Sequence, residues 1–242
     1  MKIAIIGYGK MGKAIEETAL LAGDEIVARI DSEEEWKTQT SYLKLADVAV
    51  EFSSNSAVVA NIYKCFEINL PVVTGTTAWE DRLEEVRNKC ISLDQTLFVA
   101  PNYSLGVNLF FKLNRFLSKL MNQFPQYEVE VKETHHTQKL DKPSGTAVTL
   151  ASDIITNLER KNTWVNSKTR EPVKIQILSY REGNIAGIHE IKYTSPEDAI
   201  MINHTAYNRK GFAKGALMAA NWIIGKKGFF TMDDMFSDIL KP

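Results

Sequence analysis

"KIAIIGYGKMGKAIEETALLAG", residues 2–23, decides the fold. An apolar, β-rich run stops at Gly7. Glycines return at 9 and 12, and Ile15, Ala19 and Ala22 then recur at helical spacing. Such a change of period across G-x-G-x-x-G marks a strand, a tight turn and a helix. Gly7 permits the turn, Gly9 lets backbone approach a ligand, and Gly12 lets the helix lie close to the strand. The helix opening presents unpaired N–H groups and a positive dipole end, which suit a pyrophosphate. Gly23 suits the helix end. The next strand, "EIVARID" (25–31), ends in Asp31. A carboxylate there can accept from ribose hydroxyls and repels a 2′-phosphate, and Ser32, not arginine, follows it. The reading is a dinucleotide cradle of Gly7, Tyr8, Gly9, Lys10, Met11, Gly12 and Asp31. It favours NADH over NADPH, although Lys10 or Lys13 can offset the repulsion.

The alternation of strand and helix continues. "DVAVEFSS" (47–54) is a strand with Ser53 near its carboxyl end, and "NSAVVANIYKCFEIN" (55–69) is a helix capped by Asn55 or Ser56. "LPVVTGTTAW" (70–79) is a strand running into Gly75, Thr76 and Thr77. "EDRLEEVRNKC" (80–90) is helical, and "TLFVAPNYS" (96–104) is a strand ending at Ala100, Pro101, Asn102 and Tyr103. Gly, Pro, Asn and Ser favour turns for their own reasons. Placed beyond the carboxyl ends of parallel strands, however, these residues stand where open α/β sheets bind ligands, and cofactor contact is expected there.

After Ser104 the pattern changes. "GVNLFFKLNRFLSKLMNQF" (106–124) is a long amphipathic helix, "YEVEVKET" (127–134) alternates as a strand, and "GTAVTLASDIITNLE" (145–159) is a helix. A polar stretch, "RKNTWVNSKTREP", separates it from three further strands: "VKIQILSY", "IAGIHEIKY" and "AIMINHTAY". The prediction is an α+β substrate domain with an open mixed or antiparallel sheet of about four strands, beside a Rossmann-like parallel-sheet nucleotide domain. "NRKGFAKGALMAANWIIGKKG" (208–228) returns to helix, and Thr231 with Asp234 opens a last one as a capping box. The expected domains are therefore 1–103 with 210–242, and 104–209. Crossings near Tyr103–Ser104 and near 209–211 form a hinge that would close over substrate.

The composition is that of an ordinary globular protein, 44% hydrophobic and 24% charged over 242 residues. A net charge of −1 gives no electrostatic pull toward nucleic acid or an anionic membrane. No run reaches the ~20 apolar residues of a membrane span. Cys65 and Cys90 have no metal-like spacing and read as reduced thiols of a cytoplasmic protein.

The densest chemistry lies in "ETHHTQKLDKPSGTA", residues 133–147. Ser144 can cap the following helix, whose first turn holds Gly145 and Thr146, and the N–H groups there lack intrahelical partners. A carboxylate fits that opening, with its charge balanced by Lys139 or His136. His135, or Lys139 if burial lowers its pKa, can supply a proton. Adjacent His135 and His136 would point to opposite sides of an extended chain. Ordinary solvated loop residues are the bland alternative. A metal site is the weaker one, lacking H-E-x-x-H and paired cysteines, although His189 and His204 lie on strands that could approach. Neither cysteine has a histidine neighbour in sequence that would make it a nucleophile.

These residues resemble the dihydrodipicolinate reductase family of lysine (diaminopimelate) biosynthesis nearly end to end. The resemblance runs through GYGKMG (7–12), GTT (75–77), APNYSLGVN (100–108), HHTQKLDKPSGTA (135–147), REGNIAGIHE (181–190) and RKGFAKGAL (209–217). It implies NAD(P)H-dependent reduction of the 4-hydroxy-tetrahydrodipicolinate/dihydrodipicolinate ring to tetrahydrodipicolinate. It implies His135 and Lys139 as the catalytic pair, and His136, Lys139, Gly145 and Thr146 as holders of the dicarboxylate. The segments 7–12, 75–77 and 100–103 and Asp31 fall to the cofactor, and a homotetramer joined through the second domain's sheet is implied. Many members read GxxGRMG in the glycine loop. The shorter GYGKMG, and the absence of arginine after Asp31, bear on the choice between NADH and NADPH. The rivals are another two-domain dehydrogenase of an amino-acid precursor and a nicotinamide-sensing protein without catalysis.

Overall fold

A computed structural model describes residues 1–208 and 210–240. The chain forms two compact units. One comprises Met1–Ser104 with the chain from Lys210 onward, and the other begins at Leu105 and ends after the last strand of its sheet. Arg209, where the sequence places one crossing, lies outside the described residues.

The first unit is built on β1 (Lys2–Ile6), β2 (Glu25–Ile30), β3 (Val48–Glu51), β4 (Val72–Thr74) and β5 (Thr96–Val99). Between them run α1 (Lys10–Leu21), the short α2 (Glu33–Thr38) and α3 (Thr40–Leu43), α4 (Val58–Glu67), and a 3-10 turn (Glu80–Arg82) leading into α5 (Leu83–Ser92). Strands β1, β3, β4 and β5 are buried along almost their whole length, so they read as continuous apolar runs and not as alternation. The sheet is parallel throughout and, with β11 (Gly228–Phe230) from the end of the chain, carries six strands in the order β11-β5-β4-β3-β1-β2. β1 pairs β2 on one side and β3 on the other. This topological switch point is where an open parallel sheet leaves a crevice.

The second unit consists of α6 (Leu105–Met121), β6 (Glu128–His135), α7 (Gly145–Asn157), β7 (Thr163–Val165), β8 (Lys174–Arg181), β9 (Gly187–Thr194) and β10 (Ala199–Ala206). Its mixed sheet runs β10-β9-β6-β8-β7, with β6, β8 and β7 mutually parallel and β9 antiparallel to both of its neighbours. One face is apolar. Val129 and Val131 of β6, Ile175 and Ile177 of β8, and Ile191 and Tyr193 of β9 pack with Phe110 and Met121 of α6 and with Leu150 and Ile154 of α7. Each such side chain contributes about 1.5–3 kcal/mol on burial. The opposite face is polar and cross-linked, with Lys132 between Glu130 and Glu190 and Gln176 donating to Glu130.

The chain then returns to the first unit through α8 (Lys210–Ile223), β11 (Gly228–Phe230) and α9 (Met232–Ile239), whose start carries the expected Thr231/Asp234 box. Three expectations need correcting. The second sheet has five strands and not about four, because Thr163–Val165 pairs with β8 inside the stretch read as polar. The "GFF" at 228–230 is a sixth strand beside β5, so Gly228 falls outside the helix expected over 208–228. α4 is preceded by Ala57 with no side-chain cap, whereas Ser54 and Ser56 hydrogen-bond each other and Asn55 is exposed.

Candidate active site

The glycine turn of the first unit is a cradle from which side chains are excluded. Gly7 sits at φ +87°, and a Cβ on it would stand 2.3 Å from the Phe52 carbonyl oxygen. A Cβ on Gly12 would stand 2.3 Å from the Gly7 oxygen, so α1 rests directly on the turn. Gly9, the residue before α1, faces open space. The Tyr8 N–H donates to Asp31 (2.9 Å), which ties the loop to the carboxyl end of β2. A cleft of about 430 Å³ runs along this edge, lined among others by Gly7, Gly9, Asp31, Trp36, Ser53 and Asn61.

Its wall is organised by a residue that the sequence did not single out. Glu51, fully buried at the end of β3, accepts from Thr74 Oγ1 (2.6 Å), Thr76 Oγ1 (2.8 Å), the Ser53 amide and hydroxyl, and Asn61 Nδ2. Gly75 lies against the Phe52 ring, which its missing side chain accommodates. Thr77 is exposed, as are Lys10 and Pro101, and Met11 and Asn102 are half-buried. Ala100 is buried, and the Tyr103 side chain is core: its hydroxyl donates to the Thr74 carbonyl at 2.7 Å, leaving only backbone at that position to face a ligand.

In the second unit, alternation places Glu133 and His135 on the same face of β6 as Val129 and Val131. At that end of the sheet the buried face turns from apolar to ionisable. Glu133 is 1% exposed and His135 7% exposed. His189 of β9, paired in register with Glu133, packs edge-on to His135 with ring centroids 4.9 Å apart. Glu133 takes the Ser144 N–H on both oxygens (3.0 and 3.2 Å) and the Arg181 guanidinium at 3.3–3.4 Å, and it stands 3.4 Å from His135 Nδ1. Ser144 caps α7 through Ala147 N–H, and its Oγ is 3.2 Å from His189 Nε2. Gly187 lies against the His135 ring. Arg181 also donates to the Lys139 carbonyl (3.2 Å) and to the Asp141 carbonyl, while Lys139 Nζ pairs with the Asp141 carboxylate at 2.7 Å. Gly145 opens into free space and Thr146 is half-buried, as is His136.

Burial sets the protonation of this cluster. It lowers the pKa of His135, helped by the charges of Lys139 and Arg181 and opposed by Glu133. It pushes His189 down to about 3, with His135 adding to the effect. Burial works to raise Glu133, but hydrogen bonds from Ser144 and Ser179 outweigh it and the carboxyl lies below its ordinary value. The Lys139 ammonium lowers Asp141. Both histidines are therefore neutral at neutral pH. The first-turn N–H groups of α7 are donors that an anion could use.

Of the two histidines weighed as further metal ligands, His189 does reach His135, and with Glu133 their ligand atoms lie within 4.8 Å of one another. Glu133 already serves the Ser144 amide, however, and the Arg181 cation against it opposes a second positive charge. His204 instead stacks on Phe110. Cys65 and Cys90 are buried and their thiol pKa values are raised, Cys90 to about 11, which suits packing and not nucleophilic attack. Glu133 and Arg181 were missed in the sequence, and His189 was weighed only as a metal ligand, although the period-2 phase of their strands carries the signal. Each falls in step with buried isoleucine, valine or tyrosine.

Comparison with known proteins follows the same division. Family models described as dihydrodipicolinate reductase, N-terminus, and dihydrodipicolinate reductase, C-terminus, match residues 1–103 and 106–236. A curated 4-hydroxy-tetrahydrodipicolinate reductase of Christiangramia forsetii is 42% identical over 241 residues, covering 100% of both chains. That of Archaeoglobus fulgidus is 33% identical, covering 97% of this chain and 99% of its own. A dipicolinate-bound dihydrodipicolinate reductase from Paenisporosarcina sp. TG-14 superposes with a TM-score of 0.76 at 23% identity, over 96% of this chain and 97% of that one, and so shares the fold.

Proposed function

The chain belongs to the dihydrodipicolinate reductase family, and on that premise we propose that it reduces the cyclic dicarboxylate of that reaction to tetrahydrodipicolinate, using NADH in preference to NADPH. It is an oxidoreductase of lysine (diaminopimelate) biosynthesis. The observation that carries the mechanistic reading is the convergence of His135, the Lys139 loop and the opening of α7 on one buried carboxylate, Glu133.

The first unit fits the cofactor. Any side chain at Gly7 or Gly12 would meet backbone, so the amides opening α1 stand bare for a pyrophosphate. Asp31 accepts from the adenosine ribose. Two cations on this side are already committed, Arg29 to Glu16 and Lys64 to Glu33, while Glu35 accepts from the Asp31 amide. That charge balance supports a ribose diol over a 2′-phosphate. Thr76 and Thr77, and the backbone at Ala100–Tyr103, complete the set. When bound, the reduced nicotinamide supplies the hydride, and no metal is needed for the step.

In the second unit, Lys139 exchanges its Asp141 partner for one substrate carboxylate, and the N–H groups of Gly145 and Thr146 take the other with His136 at hand. Fixing the ring in this way can contribute roughly 7–11 kcal/mol through orientation. Because His135 is held neutral, Lys139 is the better proton source, with His135 orienting the acceptor and returning the proton. General-acid help of this kind contributes about 10²–10⁴-fold.

We also infer a homotetramer formed through the second sheet. β10 is an edge strand with exposed Ile200 and Met201, a surface that a second copy would cover. No helix among the described residues is long and apolar enough to cross a membrane. The two unpaired, buried thiols suit a cytoplasmic location.

The test is nicotinamide oxidation with enzymatically generated 4-hydroxy-tetrahydrodipicolinate, comparing the two cofactors. Turnover with a higher kcat/KM for NADH is expected. Tight NADH binding without oxidation would point to a sensor, and a preference for NADPH would refute the charge argument at Asp31.

A further inference from the structure

The segment between β6 and α7 carries Lys139 and ends on the anion-binding helix, yet it has no strand or helix of its own. Something other than a backbone ladder must hold it. The structure supplies one charge pair at its root. Glu133 is in phase with the core valines of β6, where an apolar residue is the ordinary occupant. Its two oxygens take the Ser144 amide, which ties the start of α7 to the strand that carries His135. Arg181, at the end of β8 and paired in register with His135, reaches from Glu133 to the carbonyls of Lys139, Asp141 and Tyr180. Two neighbouring backbone bonds, Glu182 N–H to the His135 oxygen (2.8 Å) and Thr137 N–H to the Gly183 oxygen (3.2 Å), fix the same loop to the β8–β9 turn.

We propose that Glu133, clamped by Arg181, is a positioning residue that sets His135, the Lys139 loop and the opening of α7 at one fixed spacing. The proposal rests on the dicarboxylate reading given above. Charge-assisted bonds to backbone are short and directional, and a planar guanidinium can serve several carbonyls at once. An apolar pair of the same volume would fill the space without dictating where the loop stands. The groups facing Glu133 are His135 on its own strand, His189 on β9, Ser144 at the start of α7, and Ser179 and Arg181 on β8, with Lys139 and Asp141 in the loop beyond.

The experiment uses the full-length protein with Glu133→Gln, Arg181→Gln and the double variant. Dipicolinate affinity is measured by calorimetry, kcat and KM with the cyclic substrate, NADH affinity by fluorescence, and the melting point separately. Loss of spacing by about 1 Å can cost on the order of 100-fold, so kcat/KM and dipicolinate affinity should each fall by roughly 10- to 100-fold in either single variant. The double variant should be no worse than the poorer single one, because the pair acts as one device. NADH affinity should stay at the wild-type value. Glu133→Gln with wild-type dipicolinate affinity and turnover overturns the proposal even if the protein melts earlier, since a purely structural role moves only the melting point. Losses that multiply in the double variant overturn it as well. A wild-type protein that neither binds dipicolinate nor oxidises NADH with the cyclic substrate refutes the underlying reading, and this inference with it.

Discussion

Replacing Gly12 by alanine puts the nucleotide cradle to a quantitative test. The new Cβ would lie 2.3 Å from the Gly7 carbonyl oxygen and 3.2 Å from both the Gly7 carbon and Ile5 Cγ2. Carbon and oxygen of this kind approach no nearer than about 3.3 Å, so turn and helix must part by roughly 1 Å. The turn is the less able to yield. Gly7 is in the left-handed region, its N–H is bonded to the Ile30 oxygen at 2.7 Å, and its own Cβ position is already filled by the Phe52 carbonyl. The helix start moves instead, and with it the amides at Gly9–Met11 that the proposed function gives to the pyrophosphate. Overpacking of this kind costs about 1–3 kcal/mol, which for a chain of this length lowers the melting point by about 2–12 °C. The displacement should weaken NADH binding by roughly 10- to 100-fold. Fluorescence titration gives the NADH affinity, and calorimetry on the same sample gives dipicolinate affinity, which the proposed site assigns to the other unit and which should not change. A lowered melting point with unchanged NADH affinity would show that Gly12 serves packing alone.

Other perturbations address the second unit. Lys139→Ala should lose both dipicolinate affinity and turnover in steady-state assays, and unchanged constants would remove the ammonium from the site. His135→Gln should lower kcat by about 10²–10⁴-fold while NADH titrates as in wild type; a parallel collapse of NADH binding would make the histidine structural. His189 is held near 3 in the fold against an ordinary value of 6.5, so the unfolded chain binds the extra proton first. Its contribution to stability is whole above pH 6.5 and drains as the pH falls, by at most about 1.4 kcal/mol per unit. Denaturant melts between pH 7 and pH 5 should show this slope added to those of His135 and His204, which burial also lowers, and His189→Gln should reduce it.

What the residues disclosed in advance follows the physics of each signal. The glycine turn and the buried strands around it were legible because Gly7 and Gly12 admit no side chain and because parallel strands buried on both faces are continuously apolar. The Ser144 cap was legible because it is local, three residues from the amide it serves. β7 and β11 were not, because three-residue strands such as Thr163–Val165 and Gly228–Phe230 are too short to show a period. The α4 start misled because Asn55 and Ser56 are good caps by type, yet the helix begins later, at Val58. Glu51, Glu133 and Arg181 were passed over because a charged residue in a strand is ordinarily solvent-facing. What makes them structural includes partners up to 48 positions away, visible only once the sheets have closed.

The central claim is direct hydride transfer to a cyclic dicarboxylate bound through Lys139 and the opening of α7. It is tested most directly by turnover with NADH deuterated on the transferring face, followed by mass spectrometry of the product. The account predicts one deuterium retained in the tetrahydrodipicolinate ring for each NADH oxidised, with Lys139→Ala forming almost none. NADH consumed without deuterium in the ring, or equal labelling by the Lys139 variant, would contradict it.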